Sequence, residues 1–152
     1  VLTNLVPARD ASSPYLVHGL SEQPVSLIGP ATAADLAGLP LPELLSSQPL
    51  ILPTPESALR ASFDAMVEQL GVVTKVAAEA DDMAMIRLLA RAHAGLAVIP
   101  PIVVRDELAS GRLIELGRLE GLKEEFFAVT LHRRFPNPLV ADLLQAFKNK
   151  TD

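Results

Sequence analysis

The sequence has 152 residues, of which 49% are hydrophobic and 20% are charged. This length fits one domain or two small lobes, and this composition is typical of a folded chain rather than a disordered one. The 13 basic and 18 acidic residues give a net charge of −5, which argues against nucleic-acid binding by this chain alone, and the lack of cysteine excludes thiolate catalysis, disulfides and cysteine metal sites.

Strand-like and helix-like patterns alternate along the first half of the chain. Residues 24–29 and 49–52 are short apolar runs bounded by proline or glycine, as buried strands are. A helix is predicted to begin at Pro55, with Thr54 as its N-terminal cap, and to end at Gly71. Its apolar positions fall on one helical stripe: Leu59, Phe63, Met66, Val67 and Leu70.

The second half continues the same alternation. We expect strands at Val72–Glu79, 95–99, 112–116 and 125–132, and helices from Asp81 or Asp82 to His93, from Pro101 to about Ser110, and from Pro138 to about Lys148. The longest apolar run, residues 94–104, is well short of the roughly 20 residues that cross a bilayer. Strands that alternate with helices predict an α/β fold with a largely parallel sheet.

The sequence contains no recognisable catalytic motif: it has no nucleophile elbow, no H-E-x-x-H, no phosphate-binding loop and no dinucleotide fingerprint. Its three histidines, His18, His93 and His132, are far apart and lack a partner at ligand spacing, so structural roles are favoured over metal binding or acid–base chemistry. We therefore expect a protein that is not an enzyme and has no metal site and no cofactor.

Two segments contain residues that could contact a ligand. In the segment Thr54 to Arg60, free backbone N–H groups, two hydroxyls and an arginine could hold an anion, or the segment could simply be a helix cap followed by a solvent-facing arginine. In the pair Asp81 and Asp82, one carboxylate is expected to cap the following helix. The other could be solvent-exposed or could have a ligand-facing role.

The stretch MAMIRLLARAHAGLAVIPPIVVRDELASGRLIEL, residues 83–116, resembles the effector-binding domain of LysR-type transcriptional regulators. The upstream stretch LPELLSSQPLILPTPESALRASFDAMVEQLG resembles the same family, so the similarity covers nearly the whole chain. The tail LEGLKEEFFAVTLHRRFPNPLV is distantly similar to the family's activators of sodium/proton antiporter genes. One departure is His93, which stands where the family often has the first glycine of a G-x-G.

This resemblance implies the fold of a type 2 periplasmic binding protein, with two α/β lobes joined by two crossover strands. Residues 24–101 would form the second lobe, with crossovers at Val25–Ile28 and Val98–Pro101, and residues 1–23 and 102–152 would belong to the first lobe. A winged helix-turn-helix and the opening units of the first lobe would lie upstream of Val1. We therefore expect a fragment in which the first lobe is incomplete.

The resemblance also implies that a small effector binds in the cleft between the lobes. The residues it assigns to effector binding are Thr3, Asn4, Thr54, Glu56, Ser57, Arg60, Asp81 and Asp82. Helix N-termini at this site favour an anion, whereas the acidic pair favours a cation or an amine, and the sequence leaves both open.

The expected function is effector sensing in a bacterial LysR-type regulator, where a bound small molecule shifts the conformation of a cytoplasmic homo-oligomer. DNA would be bound only through a helix-turn-helix domain that is not in this chain, and no membrane contact is expected. The alternative is a solute-binding or small-molecule-processing domain on the same two-lobe fold. The upstream sequence would separate the two, since a helix-turn-helix supports the regulator and a secretory signal supports the solute binder.

Overall fold

The computed structural model describes residues 1–4, 14–131 and 138–148. The described strands are β1 Leu2–Thr3, β2 Tyr15–Pro30, β3 Pro49–Pro53, β4 Lys75–Ala80, β5 Leu96–Ile99 and β6 Leu113–Leu131. The described α-helices are α1 Leu41–Ser47, α2 Ala58–Leu70, α3 Met83–Arg91, α4 Arg105–Ala109 and α5 Pro138–Lys148. Short 3-10 segments, Ala31–Leu36 and Pro101–Val104, follow β2 and β5.

The chain divides into two compact units, which we call unit one (residues 1–23 with 124–152) and unit two (residues 24–123). The chain passes from one unit to the other along β2 and along β6. Residues 102–123 pack in unit two, and residues 98–101 also lie inside this unit. The reason is apolar packing, because Val104 and Leu113 are buried in a cluster with Ile99. The assignment of residues to lobes stays a prediction.

The sheet of unit two is mixed rather than largely parallel. Strand β3 pairs in parallel with both β4 and β5, as expected for strands joined through helices. Strand β2 instead pairs antiparallel with β5, and β6 lies beside β2. The prediction of parallel pairing thus holds for the three strands that alternate with α2 and α3, and it fails for the strands that run between the units.

Helices cover both faces of this sheet, and alternate strand residues point to opposite faces. On β3, Leu50 and Leu52 join a cluster with Leu59 and Phe63 of α2, while Ile51 joins the cluster that contains Ile86 of α3. This period-two division is what a strand buried on both faces requires. The α/β fold class predicted from the sequence is confirmed.

Close approach of two strands explains the glycine before β5. A Cβ atom on Gly95 would lie 2.5 Å from the carbonyl oxygen of Pro49, a distance that backbone atoms cannot accommodate without moving. Two residues before Gly95, just beyond the end of α3, the backbone has a conformation that favours glycine, but the residue there is a histidine. His93 has a φ of 60°, a left-handed conformation that glycine adopts far more readily.

Unit one contains β1, which pairs antiparallel with β6 so that Leu2 lies opposite Ala128. Strands β2 and β6 are also linked here by the side chains of His18 and Thr130, whose Nε2 and Oγ1 atoms are 3.1 Å apart. His18 thus has a structural contact, as expected, and His132 lies outside the described residues. Helix α5 has the predicted bounds.

Two further predictions about elements need correction. The strands expected at 112–116 and 125–132 are one strand of 19 residues that ends at Leu131 within the described chain, because Leu119 and Leu122, which lie between the two expected strands, are buried in the core. The helix expected from Pro101 is a 3-10 turn followed by the short helix α4.

Candidate functional site

The carboxyl ends of β3 and β4 lie side by side in unit two. Their parallel register places Pro53 opposite Ala80, and the N–H of Thr54 donates to the Ala80 carbonyl at 3.1 Å. Helices α2 and α3 begin a few residues beyond these two strand ends. Ligands of α/β proteins bind at this edge of a sheet, where loops and helix N-termini converge. The sequence therefore brings two of its predicted ligand segments to one place.

The N-terminal cap of α2 is Ser57, not Thr54, and the helix begins at Ala58 rather than Pro55. The Ser57 hydroxyl accepts a hydrogen bond from the N–H of Arg60 at 3.3 Å. Thr54 instead begins a turn, in which the N–H of Ser57 donates to the Thr54 carbonyl at 3.0 Å. Proline suits the second position of such a turn as well as the first position of a helix, which is why the sequence pattern was ambiguous. Glu56 is exposed in this turn.

Arg60 is bound to its own unit. Its Nη1 donates to the Pro53 carbonyl at 2.9 Å and to Glu79 Oε1 at 2.6 Å, and its Nε donates to Asp64 Oδ1 at 2.9 Å. Only 13% of the Arg60 side chain is exposed. Arg60 therefore links the start of α2 to the ends of β3 and β4. The alternative in which this arginine faces solvent does not hold.

The charge of Arg60 is matched within this network. Burial acts to lower the pKa of Arg60, but its hydrogen bonds to Glu79 and Asp64, and the charges of these carboxylates, raise the pKa above its ordinary value. Arg60 thus stays cationic, with a carboxylate on either side. The donors left to attract an anion at this edge are chiefly the hydroxyls and N–H groups at the start of α2.

Helix α3 is capped by Asp82, as expected for one member of the acidic pair. Asp82 Oδ1 accepts a hydrogen bond from the N–H of Ala84 at 2.7 Å. Asp81 is exposed and directly follows β4. The two aspartates thus have different roles, one holding the helix start and the other presenting a carboxylate to solvent.

A second ionic network, centred on the buried Glu107, links α3 to α4, and the sequence patterns did not indicate it. Nε and Nη2 of Arg87 both lie 2.9 Å from Oε1 of Glu107, and Arg91 Nε lies 3.7 Å from the same oxygen. Burial acts to raise the pKa of Glu107, but the hydrogen bond and the charges of Arg87 and Arg91 hold this pKa below its ordinary value. Glu107 is thus a buried anion with cations beside it.

The remaining predicted site residues, Thr3 and Asn4, lie in unit one. Asn4 Nδ2 donates to Oε1 of Glu124 at 2.9 Å, and Glu124 is only 5% exposed. Burial raises the pKa of Glu124, the bond from Asn4 opposes this, and the neighbouring charge of Glu125 adds to it, so that the net pKa is raised. Sequence reasoning missed Glu124, and the only available signal was the strand alternation that buries it and exposes Glu125.

The structure therefore groups the predicted residues into two sets. Unit two contains Thr54, Glu56, Ser57, Arg60, Asp81 and Asp82 at or next to one sheet edge, and unit one contains Thr3 and Asn4. Within the described ranges, no group of three metal-ligating side chains is close enough to hold a metal ion. No helix in the same ranges is long and apolar enough to span a membrane.

These features define a protein of the α/β class with two capped helix starts at one sheet edge, and the family follows from the sequence. Residues 6–152 match the family model described as the LysR substrate binding domain. The chain belongs to this family, which is the regulatory part of LysR-type transcription regulators.

The similar proteins include the transcriptional activator protein NhaR of Escherichia coli (strain K12). It is 27% identical over 101 residues, which are 66% of this chain and 34% of NhaR. NhaR of Shigella flexneri matches to the same extent. The chain spans about a third of the length of these relatives.

Solved structures of LysR-type effector domains share the fold at low sequence identity. The effector domain of AmpR from Pseudomonas aeruginosa has a TM-score of 0.66 at 15% identity, over 93% of this chain and 69% of that one. The regulatory domain of CcmR from Synechocystis PCC6803, in complex with 2-PG, has a TM-score of 0.65 at 15% identity, over 97% and 72%. The effector-binding domain of QuiR, in complex with shikimate, has a TM-score of 0.60 at 16% identity, over 93% and 66%.

Proposed function

We propose that this chain is the effector-sensing domain of a bacterial LysR-type transcriptional regulator. Membership of the family supports the regulator over a solute-binding protein with the same fold. The observation that carries the proposal is that two capped helices begin beside each other at the carboxyl edge of β3 and β4. Such an edge offers hydrogen-bond donors and carboxylates to one small ligand.

The proposed ligand contacts are those that the family resemblance assigns: Thr54, Glu56, Ser57, Arg60, Asp81 and Asp82 in unit two, and Thr3 and Asn4 in unit one. Arg60 contributes chiefly by holding the loop 54–57 in place, because its guanidinium donates to Asp64, Pro53 and Glu79, which all lie in its own unit. A ligand that binds one conformation better than another shifts the population toward that conformation, by at most the difference in binding free energy.

The rest of the regulator is part of the proposal. The domain would act in the cytoplasm, without catalysis, as part of a homo-oligomer that contacts DNA through a helix-turn-helix domain outside this chain. The net charge of −5 supports a chain that binds no specific DNA alone, since duplex binding depends on cationic contacts to phosphates. Specific, salt-sensitive retardation of promoter DNA by this chain alone would contradict that part.

The experiment that tests the site compares thermal melts of the parent, Ser57→Asp and Ser62→Asp with a panel of small carboxylates. Ser62 is the matched control, because it is exposed farther along α2 and receives the same new charge. A ligand at a hundred times its Kd stabilises by about 2.7 kcal/mol. We expect Ser57→Asp to abolish a carboxylate-induced rise in melting temperature while Ser62→Asp keeps it.

A preference of the site for cations is tested with a different variant. Asn caps helices as well as Asp, so Asp82→Asn removes the charge and leaves α3 capped. If no carboxylate stabilises the parent, and a cation does so only while Asp82 is intact, the acidic pair and not the start of α2 binds the effector. If no compound of either class stabilises the parent, the proposal that this edge senses a small molecule is wrong.

A further inference from the structure

Glu124 holds a buried carboxylate oxygen that has no hydrogen-bond partner. Its Oε1 accepts from Asn4 Nδ2 at 2.9 Å, whereas its Oε2 is buried and receives no donor from the described part of the chain. The residue as a whole is only 5% exposed. An unsatisfied acceptor of this kind is rare in folded proteins and calls for an explanation by a ligand, a proton or an ordered water.

The second such oxygen, Oε2 of Glu107, is not comparable. The carboxylate of Glu107 lies within 3.7 Å of Arg87 and Arg91, so its charge is compensated although one oxygen lacks a hydrogen bond. Among the ion pairs formed by the described residues, none includes Glu124. Within the described ranges, the charge that acts on Glu124 is that of Glu125, which has the same sign.

A buried anion without a cation is unfavourable, and either a proton or a positively charged partner relieves the cost. A neutral hydroxyl would satisfy the hydrogen bond and leave the charge uncompensated. A protonated amine would satisfy both, because it supplies several N–H donors and one positive charge. Asn4 is only partly buried, so the site has one side chain that solvent reaches, and the Asn4 amide carries an oxygen that can also accept from an amine.

We propose that Glu124 and Asn4 form a subsite that binds the protonated amine of a small-molecule ligand. This inference rests on the proposed function, because it names the chemical class of one group of the effector. Glu124 is then the residue that selects amines over alcohols of the same size.

The test uses the whole chain and three forms of it: the parent, Glu124→Gln and Glu125→Gln. Glu125 is the matched control, since it is the next residue, is exposed and loses the same charge. Ethylamine, ethanolamine and putrescine are compared with ethanol and ethylene glycol by thermal melts, and the affinity of the best amine is then measured by calorimetry. Small carboxylates are included in the same melts.

The proposal predicts that at least one amine raises the melting temperature of the parent and of Glu125→Gln, and that the matching alcohol does not. Glu124→Gln should bind that amine at least about tenfold more weakly, the loss expected for a charged hydrogen bond. Its ligand-free melting temperature should equal or exceed that of the parent, which shows that the variant folds.

Two results would overturn the proposal: the alcohol stabilises the parent as strongly as the amine, or the amine stabilises Glu124→Gln as strongly as the parent. If carboxylates stabilise the parent and amines do not, the amine subsite is wrong while effector sensing stands. If no compound of any class stabilises the parent, both fail.

Discussion

Each unit of this protein buries one glutamate, and the two glutamates are held in opposite ways. In unit two, Glu107 faces two nitrogens of Arg87 at 2.9 Å, and its pKa is lowered. In unit one, the hydrogen-bond partner of Glu124 among the described residues is the amide of Asn4, and the pKa of Glu124 is raised. Burial acts to raise the pKa in both cases, so the presence of a cation decides the direction.

The difference separates a structural carboxylate from one that is available to a ligand. The salt bridge of Glu107 joins α3 to α4 and is complete within the chain. The charge of the Glu124 carboxylate is balanced by no cation among the described residues, so a proton or a ligand would have to neutralise it. Buried titratable groups with a shifted pKa are found at functional sites more often than elsewhere. The comparison therefore predicts opposite effects when each glutamate is made neutral.

The largest effect is expected for Glu107→Gln. Removing the carboxylate leaves Arg87 without its main partner, so the free energy of unfolding should fall by about 1.5–3 kcal/mol, the range for hydrogen bonds to charged groups. Arg87 is 35% exposed, and water partly replaces the lost contact, which keeps the loss below that of a fully buried pair. Urea unfolding measures the change. Asp106→Asn is the control, because this exposed carboxylate lies 4.0 Å from Arg87 and should change stability by less than about 1 kcal/mol.

Glu124→Gln is expected to raise the free energy of unfolding rather than lower it. The amide removes an uncompensated buried charge, so the ligand-free protein should gain about 1 kcal/mol at neutral pH. Glu125→Gln at the exposed neighbouring position should remain within about 0.5 kcal/mol of the parent. A loss of stability in Glu124→Gln similar to that in Glu107→Gln would show that Glu124 has a structural partner and would remove the contrast between the units.

The pH dependence of these two differences should also diverge. Because the pKa of Glu124 is raised on folding, its contribution to stability is full below about pH 4.3 and is lost as the pH rises through the folded pKa. The stability advantage of Glu124→Gln over the parent should therefore grow between pH 4 and pH 8.

Because the pKa of Glu107 is lowered on folding, the contribution of Glu107 to stability is present above about pH 4.3 and is lost only at more acid pH. The stability deficit of Glu107→Gln should then stay nearly constant from about pH 6 to pH 8, where Glu107 is ionised in both the folded and the unfolded state. Urea titrations at several pH values measure both differences.

The smallest change in stability is expected for variants of the polar residues at the start of α2, whose hydrogen bonds are formed within unit two. Ser57→Ala removes the cap and should cost about 1 kcal/mol, whereas Thr54→Ala should cost less, since the Thr54 contacts in the turn and to β4 are made by its backbone. Thermal melts of both variants measure this difference. A larger loss of stability for Thr54→Ala than for Ser57→Ala would show that Thr54 caps α2, as the sequence suggested.

Elements that depend on local patterns were predictable from the sequence. The stripe from Leu59 to Val67 located α2, and Asp82 caps α3 as one of the two aspartates was expected to do. The start of α2 was misplaced by three residues, because Thr54-Pro55 fits both a turn and a helix start. Strand β6 was divided in two because Gly117 and Gly121 interrupt its pattern, although burial of Leu119 between them keeps the chain extended.

The contacts of the site depend on distant residues, and the sequence could not specify them. Asp64 is one helical turn from Arg60 and was within reach of local reasoning, whereas Glu79 is 19 residues away and meets Arg60 only through the register of β3 and β4. The partner of Glu124, Asn4, is 120 residues away and directly follows β1. Nothing in the local sequence distinguishes the buried Glu124 from the exposed Glu125 except a strand phase that two glycines obscure.

The most direct test of the contrast between the units is a carboxyl NMR titration of the ligand-free chain with labelled glutamate, with Glu124→Gln and Glu107→Gln used to assign the two signals. The account predicts that Glu124 titrates above the ordinary glutamate pKa of about 4.3 and Glu107 below it. Addition of a bound amine should move the Glu124 midpoint down and leave that of Glu107 unchanged, since a nearby cation favours the ionised form. If the Glu124 midpoint lies at or below 4.3 in the free protein, its charge is already compensated and the account is wrong.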